Sequence, residues 1–341
     1  MFGEYLGIDL GTSSVKLLLL KTNGEHFVSR ATYSRPLPLG WLYGIATAAK
    51  QLDLSQTIAI GLSSQVGTYV INDKDVLLWN DGVAQDETER ICSTYDPDLF
   101  IREIAMPHPR ISSYPIPRLV YIKSHWNQIQ SVCQPKDFLC KCITDHYVTD
   151  VYSWRGLANT TTRTYSKFFL SELSMDSQVL PEIMNDVTAC IGTVTKTASE
   201  SLNLPRGIPV YVGMNDFYAS ILGMGVSMPG DGFDITGTSE HLGVICTNLQ
   251  RGTQLITSPY FAKYVHYGVT ASSGAALTYG TRQFGFPGEI IKQCLRNDPP
   301  IFAPYLCGER APIFDSKAAG AFVGVTDKTQ RQDMAYSVLE G

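Results

Sequence analysis

The sequence lacks the features that mark membrane-spanning, secreted and metal-cluster proteins. No apolar run is longer than Leu17 to Leu20, whereas a bilayer span needs roughly 20 apolar residues. The N-terminal segment carries an acidic residue, Glu4, and lacks the apolar core of a secretory signal peptide. Its eight cysteines form no Cys-x-x-Cys pair, and the nearest two, Cys140 and Cys142, match neither a zinc site nor a redox motif. We therefore predict a soluble, cytoplasmic protein with buried free thiols and no membrane partner.

An excess of positive charge is also missing. The formal net charge is -5, and Lys and Arg are too sparse to form the basic surface that nucleic acid requires, so we expect no nucleic-acid partner. The composition, 44% hydrophobic and 17% charged, is that of an ordinary globular protein. Since 341 residues exceed the size at which a single core stops growing, two domains are expected.

Strands and helices alternate irregularly along the chain, which favours α/β layers over a sandwich or a helical bundle. Tyr5–Leu10 and Val15–Lys21 read as two strands of a hairpin around Gly11. Pro209–Gly213 reads as a strand that leads directly into a helix over Asp216–Gly223. Further strands are predicted over 57–62, 68–71, 76–79, 232–236 and 265–271, and helices over 42–52, 137–142, 274–284 and 333–340.

The first candidate site follows the first predicted strand. Asp9 stands at the end of that strand, where a carboxylate can hold a hydrated Mg²⁺ beside substrate phosphates. Gly11 lets backbone N–H groups approach phosphate oxygens, and Lys16 supplies a cation to the transferring group. Further donors are the hydroxyls of Thr12, Ser13 and Ser14. The alternative interpretation is an ordinary hairpin turn with an Asx-type aspartate.

Two more candidates lie in the second half of the sequence. Asp216 follows a predicted strand and begins a helix, so its carboxylate could accept a proton from an alcohol nucleophile. An N-cap aspartate is the alternative. The segment Gly237-Thr238-Ser239 repeats the Gly-Thr-Ser of the first turn and could contact the outer phosphates of a nucleotide, or could simply end a strand.

Taken together, these residues resemble the family of carbohydrate kinases that includes xylulokinase, gluconokinase and glycerol kinase. The resemblance covers nearly the whole chain and is xylulokinase-like around Trp79-Asn80-Asp81. The segments that carry it are 7–16, 61–65, 78–82, 143–150, 207–216, 237–239 and 304–312, followed by Gly320 and Gly324.

The resemblance implies a two-lobed actin-like ATPase fold with ribonuclease-H-like domains, a sugar kinase lobe over 1–227 and a partial nucleotide-binding lobe over 228–341. It implies ATP and Mg²⁺ as cofactors and phosphorylation of a hydroxyl of a small sugar or polyol, such as a ketopentose or ketohexose. Asp216 matches the catalytic base, and Asp9 the metal-binding carboxylate. The residues that match the family's nucleotide-contacting positions are Asp9, Gly11, Thr12, Ser13, Ser14, Lys16, Gly237, Thr238, Gly274 and Thr278. The residues that match the family's sugar-contacting positions are Gln65, Val66, Gly67, Trp79, Asp81, Asp216 and Phe217.

The sequence also departs from the family pattern. Xylulokinases have a motif similar to Gly-Gln-Met-His-Gly at the place where this sequence has Ser64-Gln65-Val66-Gly67-Thr68. The histidine imidazole that would touch the sugar is therefore missing. The Gly-Gly segment that follows a helix like 333–340 in the family does not occur, and we therefore expect an incomplete second lobe. Three alternatives to an active kinase stay open: a fragment of a longer kinase, a non-catalytic sugar-binding remnant or pseudokinase, and another actin-type ATPase. The sequence also leaves a homodimer open.

Overall fold

The computed structural model describes residues 3–33, 37–107, 110–237, 239–251, 254–285, 299–315 and 317–341. The chain divides into two compact units, Met1–Met224 and Gly225–Gly341. The boundary predicted from the sequence, between residues 227 and 228, lies close to this division.

The first unit is a mixed α/β structure. Its elements are β1 (Glu4–Leu10), β2 (Ser14–Lys21), β3 (His26–Thr32), α1 (Pro38–Ala49), β4 (Thr57–Ser64), β5 (Tyr69–Ile71), β6 (Asp75–Leu77), α2 (Gln85–Thr94), α3 (Pro97–Ile104), α4 (Pro115–His125), β7 (Val132–Cys133), α5 (Pro135–Thr144), β8 (Val148–Thr149), β9 (Ala158–Asn159), β10 (Thr164–Tyr165), α6 (Lys167–Glu172), β11 (Glu182–Ile183), β12 (Cys190–Thr193), α7 (Lys196–Leu202), β13 (Pro209–Asn215) and α8 (Asp216–Gly223).

A six-stranded sheet organises the first unit, in the order β12-β13-β4-β1-β2-β3. The β1–β4 and β4–β13 pairs are parallel, whereas β1–β2 and β2–β3 are antiparallel. Alternate residues of β1, such as Leu6 and Ile8, are buried because side chains along a strand point to opposite faces. They join one apolar core with Trp41 of α1 and Leu139 of α5.

The second unit contains β14 (Gly232–Thr236), β15 (Glu240–Cys246), β16 (Ile256–Tyr260), β17 (Lys263–Val269), α9 (Gly274–Phe284), β18 (Ile301–Ala303), β19 (Ala321–Val323) and α10 (Arg331–Glu340). Its four-stranded antiparallel sheet has the order β14-β15-β17-β16. A small apolar cluster forms where Phe302 and Phe322 pack together with Tyr279 of α9 and Val338 of α10.

Several predicted elements match closely, including the β1–β2 hairpin, α8, β14 and α9. Other strands were missed for a physical reason. β3 is an edge strand that exposes most of its residues, so it lacks a clear apolar alternation. β16 contains Pro259, which argues against a central strand but is tolerated at an edge, and β16 is indeed the last strand of its sheet.

Free thiols were predicted, and the cysteines that the structure describes are free. The prediction that they are buried is wrong for Cys190 and Cys307, which are exposed, whereas Cys133 and Cys140 lie in the interior. Cys190 reaches solvent because β12 lies at the edge of its sheet. None of the helices in the described ranges is long and apolar enough to cross a membrane.

Candidate active site

Three parallel strands of the first unit end at the same edge of its sheet. β1 pairs with β4 and β4 pairs with β13, so that Leu10, Ser64 and Asn215 lie side by side. The predicted site residue Asp9 directly precedes Leu10 in the chain, and the predicted base Asp216 directly follows Asn215. Ligands of α/β sheets bind at the carboxyl ends of parallel strands, so this edge is the expected place for a substrate.

A tight bend in β13 sets the direction of the chain just before Asp216. Gly213 has a φ of +65°, and a Cβ there would lie 1.8 Å from the carbonyl oxygen of Leu62, so a glycine is required. Asn215 then accepts a hydrogen bond from the Tyr218 amide at 3.2 Å and caps α8. The N-cap is therefore Asn215, which leaves the carboxylate of Asp216 available for another role.

The electrostatic environment of Asp216 suits proton transfer. Burial, reinforced by the negative charge of Asp9, raises the pKa of Asp216 to about 7. The backbone N–H of Phe217, which donates to Oδ1 at 2.8 Å, and the charges of Arg155 and Lys16 oppose this rise. A carboxyl group with a pKa near the working pH is well placed to act as a general base.

Asp9 offers a carboxylate oxygen to a ligand. Burial raises the pKa of Asp9, while a hydrogen bond from Ser63 and the charge of Lys16, directly opposite on β2, counteract that effect. Its Oδ1 atom is buried and accepts no hydrogen bond from the described residues. No group of three or more His, Cys, Asp or Glu in the described ranges could cage a metal ion. Mg²⁺ commonly binds through one or two carboxylates and substrate phosphates, so Asp9 fits this metal.

The β1–β2 turn holds the other predicted phosphate donors. The Gly11 amide donates to the Ser14 carbonyl at 2.9 Å, and the Tyr33 hydroxyl donates to the Gly11 carbonyl. Ser13 is exposed, whereas Ser14 is buried. Of these two hydroxyls, only that of Ser13 is therefore accessible to a phosphate without a rearrangement of the turn.

Thr12 is tied to residues that were predicted to face the sugar. Its hydroxyl donates to Gln65 Oε1 at 2.9 Å and accepts from Trp79 Nε1, also at 2.9 Å. The predicted phosphate turn and the predicted sugar site are thus joined by one hydrogen-bonded chain, which the sequence did not indicate.

The loop after β4 presents an amide group. Gln65 is 3% exposed, and its Nε2 atom donates to no partner in the described part of the chain. Since an unsatisfied buried donor costs roughly 1–3 kcal/mol, a ligand hydroxyl would be a favourable acceptor. Gly67, with a φ of +83°, donates its amide to Gln134 Oε1 at 3.0 Å, which fixes the loop, and Val66 between them is half-buried.

The remaining predicted sugar residues differ in accessibility. Trp79 is half-buried, and its carbonyl accepts from Arg118 Nη2 at 3.1 Å. Asp81 is exposed and closes a turn by accepting from the Leu78 amide at 2.6 Å. Phe217 is buried and packs edge-on against the neighbouring Tyr218 ring.

Sequence reasoning missed three buried polar residues around these elements. Arg118 is fully buried in α4, and its Nη1 atom has no hydrogen-bond partner among the described residues. The hydroxyl of Tyr114 is likewise buried without a described partner, and the guanidinium of Arg155 lies over the Tyr114 ring. Nothing in a lone Arg or Tyr signals that it will be buried, so only the fold could reveal them.

Within the second unit, two predicted nucleotide residues come together. The Gly274 amide donates to the Gly237 carbonyl at 3.0 Å, and Gly237 itself donates to the Ser239 carbonyl at 2.8 Å. Thr278 lies one turn into α9, where its hydroxyl donates to the Gly274 carbonyl at 2.8 Å. The N-terminus of α9 has no side-chain cap, so it keeps amides that could face an anion. Thr238 lies outside the described residues.

A model of the FGGY family of carbohydrate kinases, N-terminal domain, matches residues 43–223. The chain belongs to this family. It is 25% identical to the xylulose kinase of Lactococcus lactis, with 98% of this chain and 74% of that protein covered. It is 22% identical to the gluconokinase of Bacillus subtilis, with 100% of this chain and 75% of that protein covered. The predicted family and enzyme class are confirmed.

Solved structures show the same fold. The xylulose kinase of Lactobacillus acidophilus matches with a TM-score of 0.84 at 23% identity, over 99% of this chain and 76% of that one. The glycerol kinase of Plasmodium falciparum, solved with ADP, also matches with a TM-score of 0.84, at 17% identity, over 100% of this chain and 76% of that one. The predicted α/β fold is confirmed, whereas the expectation of an incomplete second lobe stays a prediction.

Proposed function

We propose that this carbohydrate kinase transfers the γ-phosphoryl group of ATP to a hydroxyl of a ketopentose, a ketohexose or a related polyol, with Asp216 as the general base. The observation that carries the proposal is the position of Asp216 at the carboxyl edge of the parallel strands, with its pKa raised to about 7 beside Asp9. A carboxylate of this kind can accept the proton of an alcohol at neutral pH.

The chain's own residues can accept the proton of the substrate hydroxyl and offset part of the negative charge on the transferred phosphoryl group. The substrate hydroxyl donates its proton to Asp216, its oxygen forms the new bond to phosphorus, and the bond to the ADP oxygen breaks. Lys16 is a cation able to offset charge on the transferred group. Mg²⁺, when bound through Asp9, would neutralise further phosphate charge. No covalent intermediate on the protein is required, since phosphoryl transfer depends on positioning and electrostatics.

For the sugar, we propose that Gln65 Nε2, which has no partner among the described residues, donates a hydrogen bond to a ligand hydroxyl, that the Asp81 carboxylate accepts one, and that Trp79 makes apolar contact. The remaining proposed sugar contacts are Val66, Gly67 and Phe217. For the nucleotide, the proposed contacts are Gly11, Thr12 and Ser13 in the first unit, without the buried hydroxyl of Ser14, and Gly237, Thr238, Gly274 and Thr278 in the second.

The substitution Asp216→Asn tests this proposal. It should leave sugar affinity within a few-fold but lower sugar-dependent ADP formation by about 10²-fold or more, the usual contribution of a general base. The matched control is Asp145→Asn, an exposed aspartate at the C-cap of α5 in a left-handed conformation that asparagine also tolerates.

The assay measures ADP release with a panel of ketopentoses, ketohexoses and polyols. Turnover that is unchanged in Asp216→Asn would rule out this residue as the base. Ligand binding without any turnover by the unsubstituted chain would instead favour a non-catalytic sugar-binding protein.

A further inference from the structure

The first unit has a surface pocket of about 470 Å³, and none of the residues that line it is proposed to bind sugar or nucleotide. One wall is formed by residues between 163 and 170, from the β9–β10 turn into α6, and the other by residues between 177 and 183, which end in β11. The Tyr165 hydroxyl on the first wall donates to the Pro181 carbonyl on the second at 2.7 Å, which joins the two walls. Pockets of about 300–1,000 Å³ commonly hold small molecules, so this pocket is large enough for one.

The buried part of the pocket lining is apolar. Leu170 and Leu180 are 8% and 4% exposed, and Pro181 is also buried. Tyr165 and Ile183 are half-buried. Because removing apolar surface from water is favourable, a ligand with an apolar body would be stabilised in contact with these side chains.

The first wall carries two cations, Arg163 and Lys167, and both are exposed. Neither takes part in an ion pair among the residues that the structure describes. Arg163 lowers the pKa of Asp186, although hydrogen bonds from Thr188 contribute more to that shift. On the second wall, Glu182 is the one carboxylate that lines the pocket, so two cations face one carboxylate. An apolar interior with an excess of positive charge at its edge fits an amphipathic anion.

The first wall is attached to the end of the loop 150–156. The Ser166 amide donates to the carbonyl of Leu157, the residue after the loop, at 2.9 Å. The ring of Tyr165 packs edge-on against that of Trp154 in the loop, with ring centres 5.6 Å apart. A displacement of the first wall would therefore act on the loop.

The second wall is attached to the start of the same loop. β11 pairs in parallel with β8, and Asp150 directly follows β8. Asp150 then accepts hydrogen bonds from the amides of Tyr152 and Ser153, at 2.8 Å and 3.0 Å. The two walls of the pocket thus hold the two ends of one loop.

A buried ionic cluster also contacts this loop. Lys136 Nζ lies 3.0 Å from Asp150 Oδ2 and 3.5 Å from Asp137 Oδ1, and all three side chains are 0–1% exposed. Trp154 in the loop donates its Nε1–H to Asp137 at 2.9 Å. Because a charge left unpaired inside the protein is costly, the loop cannot move far from this cluster without a large loss of stability.

The loop 150–156 lies next to the proposed base. Asn215, directly before Asp216, donates its side-chain amide to the Tyr152 carbonyl at 3.1 Å. The charge of Arg155, which the loop carries, acts on the carboxylate of Asp216. A molecule that contacts both walls of the pocket would therefore act, through the loop, on residues at the proposed active site.

We propose that this pocket is an effector site, which binds a small molecule with an apolar body and one anionic group and thereby stabilises the loop 150–156. The apolar body lies against Leu170 and Leu180, and the anionic group lies beside Arg163 and Lys167. The site is distinct from the proposed active site. Its tests use binding and amide exchange and no turnover, so a failure of the proposed kinase function would leave them unaffected.

Titration of the 341-residue chain with three probes tests the chemistry of the ligand. Anilinonaphthalene sulfonate has aromatic rings and one sulfonate, N-phenylnaphthylamine has the same rings without the sulfonate, and inorganic sulfate has the charge without the rings. We expect the sulfonated dye to bind at least about fivefold more tightly than the neutral dye, a modest factor because water screens exposed cations. It should bind at least about tenfold more tightly than sulfate, which buries no apolar surface. Equal affinity of the neutral dye or of sulfate would overturn the proposal.

Two double variants locate the binding site. Arg163→Gln with Lys167→Gln should weaken binding of the sulfonated dye at least about fivefold and leave that of the neutral dye unchanged. The matched control, Lys196→Gln with Arg206→Gln, removes two exposed cations of the same unit that do not line the pocket, and it should change neither affinity. Equal binding of the sulfonated dye by the two double variants would show that it occupies another surface, and the proposal would fail.

Amide hydrogen exchange tests the action on the loop. With the free sulfonated dye at about ten times its Kd, the amides of residues 150–156 should exchange up to about tenfold more slowly, because a ligand favours the closed form by a factor of 1 + [ligand]/Kd. The amides of α7, which does not line the pocket, serve as the internal control. Unchanged exchange in the loop, or equal slowing in α7, would overturn the effector role.

Discussion

Replacing Gly213 with alanine would test the strand geometry that places Asp216. Gly213 has a φ of +65°, and the added Cβ would lie 1.8 Å from the carbonyl oxygen of Leu62 on β4. Because that oxygen belongs to the backbone of a central strand, it cannot rotate away as a side chain could. The two strands would have to separate, and the proposed base follows β13 directly in sequence.

Two effects should lower the free energy of unfolding of the Gly213→Ala variant. A left-handed conformation costs a residue with a Cβ about 1–2 kcal/mol. Forcing an extra methyl group into a packed region adds about 1–3 kcal/mol. The control, Gly207→Ala in the turn before β13, shares the first effect alone, because Gly207 has a φ of +78° and no atom within 4 Å of its added Cβ. Gly213→Ala should therefore lower the free energy of unfolding of the first unit by about 2–5 kcal/mol, and Gly207→Ala should lower it by about 1–2 kcal/mol.

Tryptophan fluorescence during urea unfolding is a selective assay. All four tryptophans, at positions 41, 79, 126 and 154, belong to the first unit, so the signal reports on that unit. With a slope of about 2–3 kcal/mol per molar urea, Gly213→Ala should lower the midpoint by about 1–2 M and Gly207→Ala by about 0.5 M. Similar shifts for the two variants would refute the close approach of β13 to β4.

Three other predictions address the base, the buried cluster and the sugar contacts. Because Asp216 must be deprotonated to accept a proton, kcat/KM should fall about tenfold per pH unit below about pH 7, and a flat profile between pH 5.5 and 8 would argue against this base. Lys136→Met leaves two buried carboxylates without a counter-charge and should destabilise the first unit by about 3–5 kcal/mol in the urea assay, whereas a loss below about 1 kcal/mol would contradict the buried ion pairs. Thr12→Val removes the hydrogen bonds to Trp79 and Gln65 and should weaken sugar binding about tenfold by titration; unchanged affinity would exclude this chain of hydrogen bonds from sugar recognition.

Local sequence patterns were enough for part of the fold. The hairpin around Gly11, the strand that leads to Asp216 and the helix that begins at Gly274 were all predicted, because short apolar runs bounded by glycine or aspartate indicate such elements. The edge strands were not, because an exposed strand such as β3 carries little apolar alternation and β16 contains a proline.

The sequence by itself determined the family and the identity of the chemical groups, since the glycine, hydroxyl and carboxylate motifs are contiguous in the chain and keep their order. Only the tertiary structure determined which residues these groups contact. The hydrogen bonds of Thr12 to Gln65 and Trp79, and the charge of Arg155 next to Asp216, join residues that are far apart in sequence. Whether an arginine is exposed or buried, and which carboxylate it acts on, depends on the packing of distant segments, because burial and Coulomb interactions follow distance in space.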